Sequence, residues 1–347
     1  MKTVSRLTAR REAVLKAIVG EYIATALPVP SETIVQKYKL DISPATVRNE
    51  MVVLEKEGYI SRPHTSAGGV PLDRGYRYYV ESLLETRELP AKERLLIQHL
   101  FHQVESHLEE WTKVAAAISS RMASNAALAT IPKAPQCRFK HMELVALHEF
   151  VALLVLVLQE ARLKQQLLAL DAAYSQEQLW AAANHLNSTY GGLTSRQVAM
   201  LKVELSPLEK QVARTVTSVM QTEDKQEYEE LYVDGLRHIL RQPEFAREAR
   251  WQALLAILEE RSLAKALLPS LGDEEGVRVF IGDENRDEAI RDCSLVVSRY
   301  GVPGEISGVI GVLGPMRMRY DYTIATVSYI SALMSELVAE LRGQDKN

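Results

Sequence analysis

The chain has 347 residues, 47% of them hydrophobic, with 45 acidic against 41 basic side chains and a net charge of −4. That length and apolar content support two or three buried cores. Two widely separated cysteines, Cys137 and Cys293, exclude a disulfide framework and fit a reducing compartment. The opening MKTVSRLTARREAV has no apolar h-region. The most apolar stretch, Val151–Leu158, is eight residues, read as a buried strand, where a membrane span needs about 20. A cytoplasmic protein with no membrane association is expected.

Three helices are predicted at the start of the chain. Thr8 is placed to cap the first, whose inner face is Val14, Leu15, Ile18, Val19 and Tyr22. After the Pro28/Pro30 break, Ser31 is placed to cap a second carrying Ile34, Val35 and Tyr38. A turn over 39–42 leads to the third, the connection length a helix-turn-helix requires. There Ser43 and Pro44 suit the N-cap and first helical positions, and Gly58 suits a left-handed stop. Ile42 and Val47 have the spacing of a hydrophobic staple. Val47, Met51 and Leu54 form an apolar stripe that leaves Ala45, Thr46, Arg48, Asn49 and Val52 on other faces.

Tyr59 and Ile60 read as a strand entering RPHTSAGGVP, a Gly/Pro-rich loop with the composition of a wing. Arg and Asn near the start of a short helix suit the acceptors on guanine and adenine edges. Arg48 and Asn49 are therefore the expected base contacts, with Ser43 and Thr46 on phosphate or base at the helix N-terminus. In the wing, Arg62, His64, Thr65 and Ser66 are expected on phosphates or in the minor groove. Winged helices also dock proteins, and a polar helix face is often only solvated, so charge is the deciding observation. Residues 1–80 hold 12 Lys+Arg against 8 Asp+Glu, or +4, and the remainder holds 29 against 37, or −8. A basic first quarter on an acidic body fits a nucleic-acid-binding head.

Past the head, ETRELPAK (85–92) reads as a linker, and a long helical pattern is expected over 93–129. Beyond Pro132 and Pro135, HMELVAL, VALLVLVLQ and ARLKQQLLAL read as strands joined by short turns. Residues 175–268 are expected to be mainly helical, with breaks at Gly191 and Gly192, Pro207 and Pro243. VRVFIG, SLVVSRYG and ISGVIGVLG restore strands. A final helix is striped by Ile324, Val327, Ile330, Met334, Leu337 and Leu341, with Gly343 just past its end. Strands on either side of a helical block suggest one α+β domain interrupted by an insertion.

Chemistry-bearing motifs are scarce. His99, His102, Glu105 and His107 share a helical stretch, but no second ligand pair of metal spacing accompanies them, and a solvated face explains them better. The Gly-rich segment 301–314 lacks the Gly-Lys-Ser/Thr ending of a phosphate loop; turns and a closely approached strand explain it better. No nucleophile elbow or His-Glu-x-x-His motif occurs, so no enzyme, cofactor or metal site is expected. Two questions stay open. Tyr232, Leu236, Ile239 and Leu240 are either core or a face toward a partner subunit, and Arg317 and Arg319 either face a ligand or make salt bridges.

The run ISPATVRNEM…LEKEGYISRPHTSAG…P…GYRYYV resembles the N-terminal signature of the heat-inducible transcription repressor HrcA family. The likeness continues through LYVDGLRHILRQPEF (231–245), IGDEN (281–285) and GVIGVLGPMRMRYDYTIATVSYISALMSEL (308–337). Gly69 and Leu72 stand where the family usually has Arg and Thr. The resemblance implies a mixed α+β multidomain chain. It comprises a winged helix-turn-helix over 1–85, a GAF-like α+β domain over 86–170 and 266–347, and a mainly helical inserted dimerisation domain over 171–265. It implies a repressor of heat-shock (chaperone) genes that binds double-stranded DNA at an inverted-repeat operator and is released on heat shock. A GroEL-type chaperonin is implied to keep it in its active fold. One recognition helix covers only a few base pairs, so a homodimer reading two half-sites is expected on energetic grounds as well. The alternative keeps the DNA-binding head and places a small-molecule effector in the GAF-like domain.

Overall fold

The computed structural model of the chain describes residues 7–62, 68–82, 88–104, 107–134, 136–159, 163–225, 231–245, 276–285 and 287–344. The chain divides into two compact units: Met1–Pro132 with Glu230–Pro303 and Ser307–Asn347, and Lys133–Glu229 with Gly304–Ile306.

The first unit opens with α1 (Ala9–Thr25), which Thr8 caps by accepting the Arg11 N–H, and which Ala26 ends in a left-handed conformation. In α2 (Ser31–Tyr38) the N-cap is Pro30 rather than Ser31. Pro30 already has the extended backbone an N-cap needs, so Ser31 becomes the first helical residue and is buried. After α3 (Pro44–Lys56), β1 (Ile60–Ser61) pairs antiparallel with β2 (Val70–Pro71), Ile60 opposite Pro71 and Ser61 opposite Val70. Val29, between α1 and α2, bridges to Gly69 through two backbone bonds of 3.0 and 2.9 Å. The hairpin is thereby tied to the helices at its root. Val14, Leu15, Ile18, Ile34, Val47, Leu54 and Tyr59 close the core, and α4 (Asp73–Glu81) follows.

The body of this unit is a five-stranded sheet in the order Leu231–Asp234, Ala126–Thr130, Ile306–Pro315, Cys293–Val302, Val277–Ile281. The single helix expected over 93–129 is instead α5 (Ala91–His102), α6 (Leu108–Ala123) and β3 (Ala126–Thr130). Ser124 takes a left-handed conformation that stops α6. All five residues of β3 are buried, so no alternation of apolar and polar side chains marks it as a strand. Similarly, β7 (Leu231–Asp234) lies inside the expected helical block, which places Tyr232 on an edge strand, followed by the short α10 (Leu236–Leu240). The C-terminal strands are β8 (Val277–Ile281), β9 (Cys293–Val302) and β10 (Ile306–Pro315). The last helix, α11 (Tyr320–Gln344), continues through Gly343 rather than stopping before it. It is long and apolar enough to cross a membrane by length and composition, but Val327, Ile330, Met334 and Val338 are buried in its packing on β9 and α6.

The second unit is an antiparallel sheet of β4 (Phe139–His148), β5 (Val151–Leu158) and β6 (Leu163–Ala169) with α7 (Gln176–Tyr190), α8 (Ser195–Met200) and α9 (Pro207–Lys225). Leu154, Leu156 and Leu158 share one core with Leu179, Leu186, Val212 and Val216. The strands therefore go with the helices that bury them. The compact insertion is thus 133–229, in place of the expected 171–265, and 231–245 joins the five-stranded body. The remaining part of that block, 246–268, lies outside the described residues. Among the described residues one face of the three-stranded sheet is covered; on the other, Val145, Leu163 and Leu167 are exposed around the half-buried Leu153, Val155 and Val157.

Candidate nucleic-acid interface

The local sequence fixes α3 at both ends. Ser43 Oγ accepts the Thr46 N–H at 3.1 Å and lies 2.9 Å from the Thr46 hydroxyl, and Pro44 opens the helix. At the other end Gly58 adopts φ +75°, while the Gly58 and Tyr59 N–H groups donate to the Glu55 and Leu54 carbonyls at 3.0 and 2.9 Å. This paired stop requires a residue that tolerates positive φ. Val47, Met51 and Leu54 are buried, which leaves Ser43, Ala45, Arg48 and Asn49 exposed and Thr46 half-buried. The four helix residues expected to meet DNA thus lie at or near the start of one solvent-facing element.

Their electrostatics differ. Arg48 donates to the Glu32 carboxylate at 3.0 Å and to the Ser31 hydroxyl at 3.4 Å, both on α2. The Glu32 carboxyl is held below its ordinary range, first by its own backbone N–H, then by the Ser31 hydroxyl and the Arg48 charge. Asn49, one residue on, is exposed. Arg62 behaves differently from the expectation of a wing contact. Its guanidinium donates to Glu55 Oε2 at 3.0 and 2.5 Å, its backbone N–H reaches Glu55 Oε1, and its side chain is only 8% exposed. In this position Arg62 fastens the root of the hairpin to α3. His64, Thr65 and Ser66 lie outside the described residues.

Several other cations of the head are engaged within it. Arg11 spans Glu50 and Glu57 at 3.1 and 3.2 Å, linking α1 to α3. Lys37 meets Glu21 at 2.6 Å, and Arg74 lies 4.4 Å over the Tyr59 ring while donating to the Glu57 carbonyl. Lys39, in the turn before α3, and Lys56, in its last turn, are exposed and have no ion-pair partner among the described residues. Sequence reasoning passed over both, because a lysine in a turn gains meaning only once the fold sets it beside α3. It also passed over Glu32, which is 16 residues from Arg48 and carries no motif of its own.

Elsewhere the structure bears on two open questions. Arg317 pairs with Glu244 and donates to Gln242 at 2.6 Å, and Arg319 lies 5.1 Å over the Tyr322 ring. Ile239 is core, whereas Leu240 is exposed. Among the described residues no group of His, Cys, Asp or Glu is arranged to hold a metal ion.

Comparison with known proteins supplies the family. Residues 109–324 match the HrcA protein C terminal domain. The chain is 46% identical over 338 residues to a heat-inducible transcription repressor HrcA of Dehalococcoides mccartyi (strain ATCC BAA-2266 / KCTC 15142 / 195), covering 97% of this chain and 98% of that one. It is 43% identical over 345 residues to the HrcA repressor of Roseiflexus castenholzii (strain DSM 13941 / HLO8), covering 97% and 96%. Its fold is similar to a crystal structure of a hypothetical protein, with a TM-score of 0.64 at 23% identity over 96% of this chain and 99% of that one. Identity of that extent, end to end, together with the matching domain, makes this chain a member of the heat-inducible transcription repressor HrcA family.

Proposed function

We propose that this protein is a transcriptional repressor of heat-shock (chaperone) genes that binds an inverted-repeat operator as a homodimer. The observation that carries the reading is α3: a capped, exposed helix on a basic head, presenting Arg48 and Asn49 beside a hairpin. Three helices with a hairpin after the third is the arrangement of a winged helix-turn-helix, whose third helix enters the major groove. Arg48 and Asn49 then meet base edges, Ser43 and Thr46 meet phosphate or base, and His64, Thr65 and Ser66 extend the contact along the backbone. Arg62 serves the hairpin by holding its root to α3.

The five-stranded body with α5, α6 and α11 fits the GAF-like part. The exposed apolar residues on the sheet face that no described residue covers support duplication, since such a patch is a common site of protein–protein contact. Family membership supports release on heat shock and a GroEL-type chaperonin that keeps the repressor folded. The physical basis would be marginal stability: when unfolded protein occupies the chaperonin, inactive repressor accumulates and its genes are transcribed.

Protection mapping of the pure protein on its own genomic fragments, at growth and heat-shock temperatures, tests the reading. Two symmetric protected half-sites that fade at the higher temperature are expected. Binding with no preference for any duplex over competitor DNA would overturn it.

A further inference from the structure

We propose that Asp73 and Arg77 set the half-site spacing this repressor accepts, by locking the DNA-binding head onto the turn that follows β8. The inference rests on the two-headed reading above. It concerns residues of α4, outside the set expected to touch DNA.

One face of α4 makes the lock. Asp73, Tyr76 and Arg77 follow at helical spacing, so all three side chains share that face. Arg77 Nε donates to Glu284 Oε1 at 2.8 Å, and its Nη2 reaches both Glu284 Oε2 and the Val279 carbonyl, the latter at 2.7 Å. Four residues earlier, Asp73 Oδ2 accepts the Asp283 N–H at 2.9 Å. Between these two attachments the rings of Tyr76 and Tyr320 lie 6.1 Å apart, and both side chains are buried.

The receiving turn is shaped for this contact. Gly282 has φ +54°, and a Cβ placed on it would lie 1.9 Å from Asp73 Oδ2. Glycine is needed there twice, for the backbone conformation and for the space the carboxylate occupies. Glu284 also accepts the Ile281 N–H at 3.0 Å, and Asn285 donates to three carbonyls, Gly282, Ile290 and Cys293, so the turn is itself rigid. The head therefore meets the body through several directional bonds and a ring contact. Bidentate arginine–carboxylate pairing fixes orientation as well as distance.

For a protein with two heads, orientation decides affinity. Once one head is bound, the effective concentration of the second at its half-site depends on how narrowly the link confines it. A rigid head concentrates that probability at one spacing and helical phase; a loose head spreads it over many.

The test uses full-length protein and duplexes carrying the two half-sites found by protection mapping, their separation stepped in single base pairs through half a helical turn, about five base pairs. Asp73→Asn, Glu284→Gln and Arg77→Ala are compared with the unaltered chain, alongside a duplex with one half-site. Each variant should lose about tenfold or more at the best spacing and fall off less steeply away from it, with single half-site affinity unchanged. A spacing profile identical to the unaltered protein's in all three variants would overturn the inference, as would an equal loss on the single half-site. If the unaltered protein itself showed no preference for paired half-sites, the two-headed reading would fail instead. Because Asn and Gln preserve size, the two conservative variants decide the matter even if Arg77→Ala does not fold.

Discussion

The guanidinium of Arg48 stands 3.0 Å from the carboxylate of Glu32, so the side chain proposed to read a base is already held by the neighbouring helix. Both side chains are more than half exposed, at 57% and 54%. An ion pair that open to water is weak and screened by salt. It restricts Arg48 without trapping it, and a guanine edge, offering two acceptors in a drier groove, can take the fork over. Arg48→Ala should cost about 1–3 kcal/mol of specific binding and leave non-specific affinity nearly intact. Titration on operator and on random DNA at one salt concentration distinguishes the outcomes. Equal loss on both would assign Arg48 to phosphate.

Lys39 makes the complementary prediction. It has a left-handed backbone in the turn ahead of α3 and is exposed without an ion-pair partner among the described residues. A point charge there meets the DNA backbone more readily than a base edge. Lys39→Ala should weaken operator and random DNA alike and reduce the magnitude of the slope of log K against log salt by about one. An unchanged slope would remove Lys39 from the interface.

What could be read in advance divides by range. The head was legible because its signals are local: Ser43 and Pro44 start α3, Gly58 stops it, and Val47, Met51 and Leu54 sit at helical spacing. The strands β3 and β7 were not, since Ala126–Thr130 is wholly buried and Leu231–Asp234 has only four residues, too short for a period to show. The insertion boundary moved because it depends on which helices cover Leu154, Leu156 and Leu158, a tertiary fact. The same holds at the candidate interface. The role of Arg62 turned on Glu55, that of Arg48 on Glu32, and the hold on the head on Glu284, which is 207 residues from Arg77. No spacing rule reaches that far.

Cys137 bears on the stability of the second unit. Its thiol donates to the Met220 carbonyl at 3.4 Å, and burial, followed by the nearby Asp224 carboxylate, pushes it up from 9.0 to about 12. The folded state therefore favours the neutral thiol. Its contribution is fully present below about pH 9 and is lost as pH rises toward about 12, because the unfolded thiol ionises first. At neutral pH the folded protein should react at this position with a thiol reagent far more slowly than denatured protein does. Denaturant midpoints should also fall more steeply with alkaline pH for the unaltered chain than for Cys137→Ala. Parallel pH profiles would show that Cys137 carries no such linkage.

The open sheet face gives the sharpest test of duplication. In register, Leu153 lies opposite Val145 on one side and Leu167 on the other, and Leu167 is 61% exposed. An apolar row on a sheet face that no described residue covers is well placed to be the centre of an interface, where a single anchor contributes about 2 kcal/mol, or roughly 30-fold in Kd. Leu167→Glu puts a charge into that centre, which costs more than removing the side chain if the face is covered by a second copy, and little if it faces water. Light scattering on size-fractionated protein at micromolar concentration should then give twice the chain mass for the unaltered protein and the single mass for the variant, with unfolding temperature measured in parallel to show that the sheet itself survives. A variant that remains fully dimeric would place the two-fold contact elsewhere on the molecule, and the spacing of the two heads would have to be explained from that other surface.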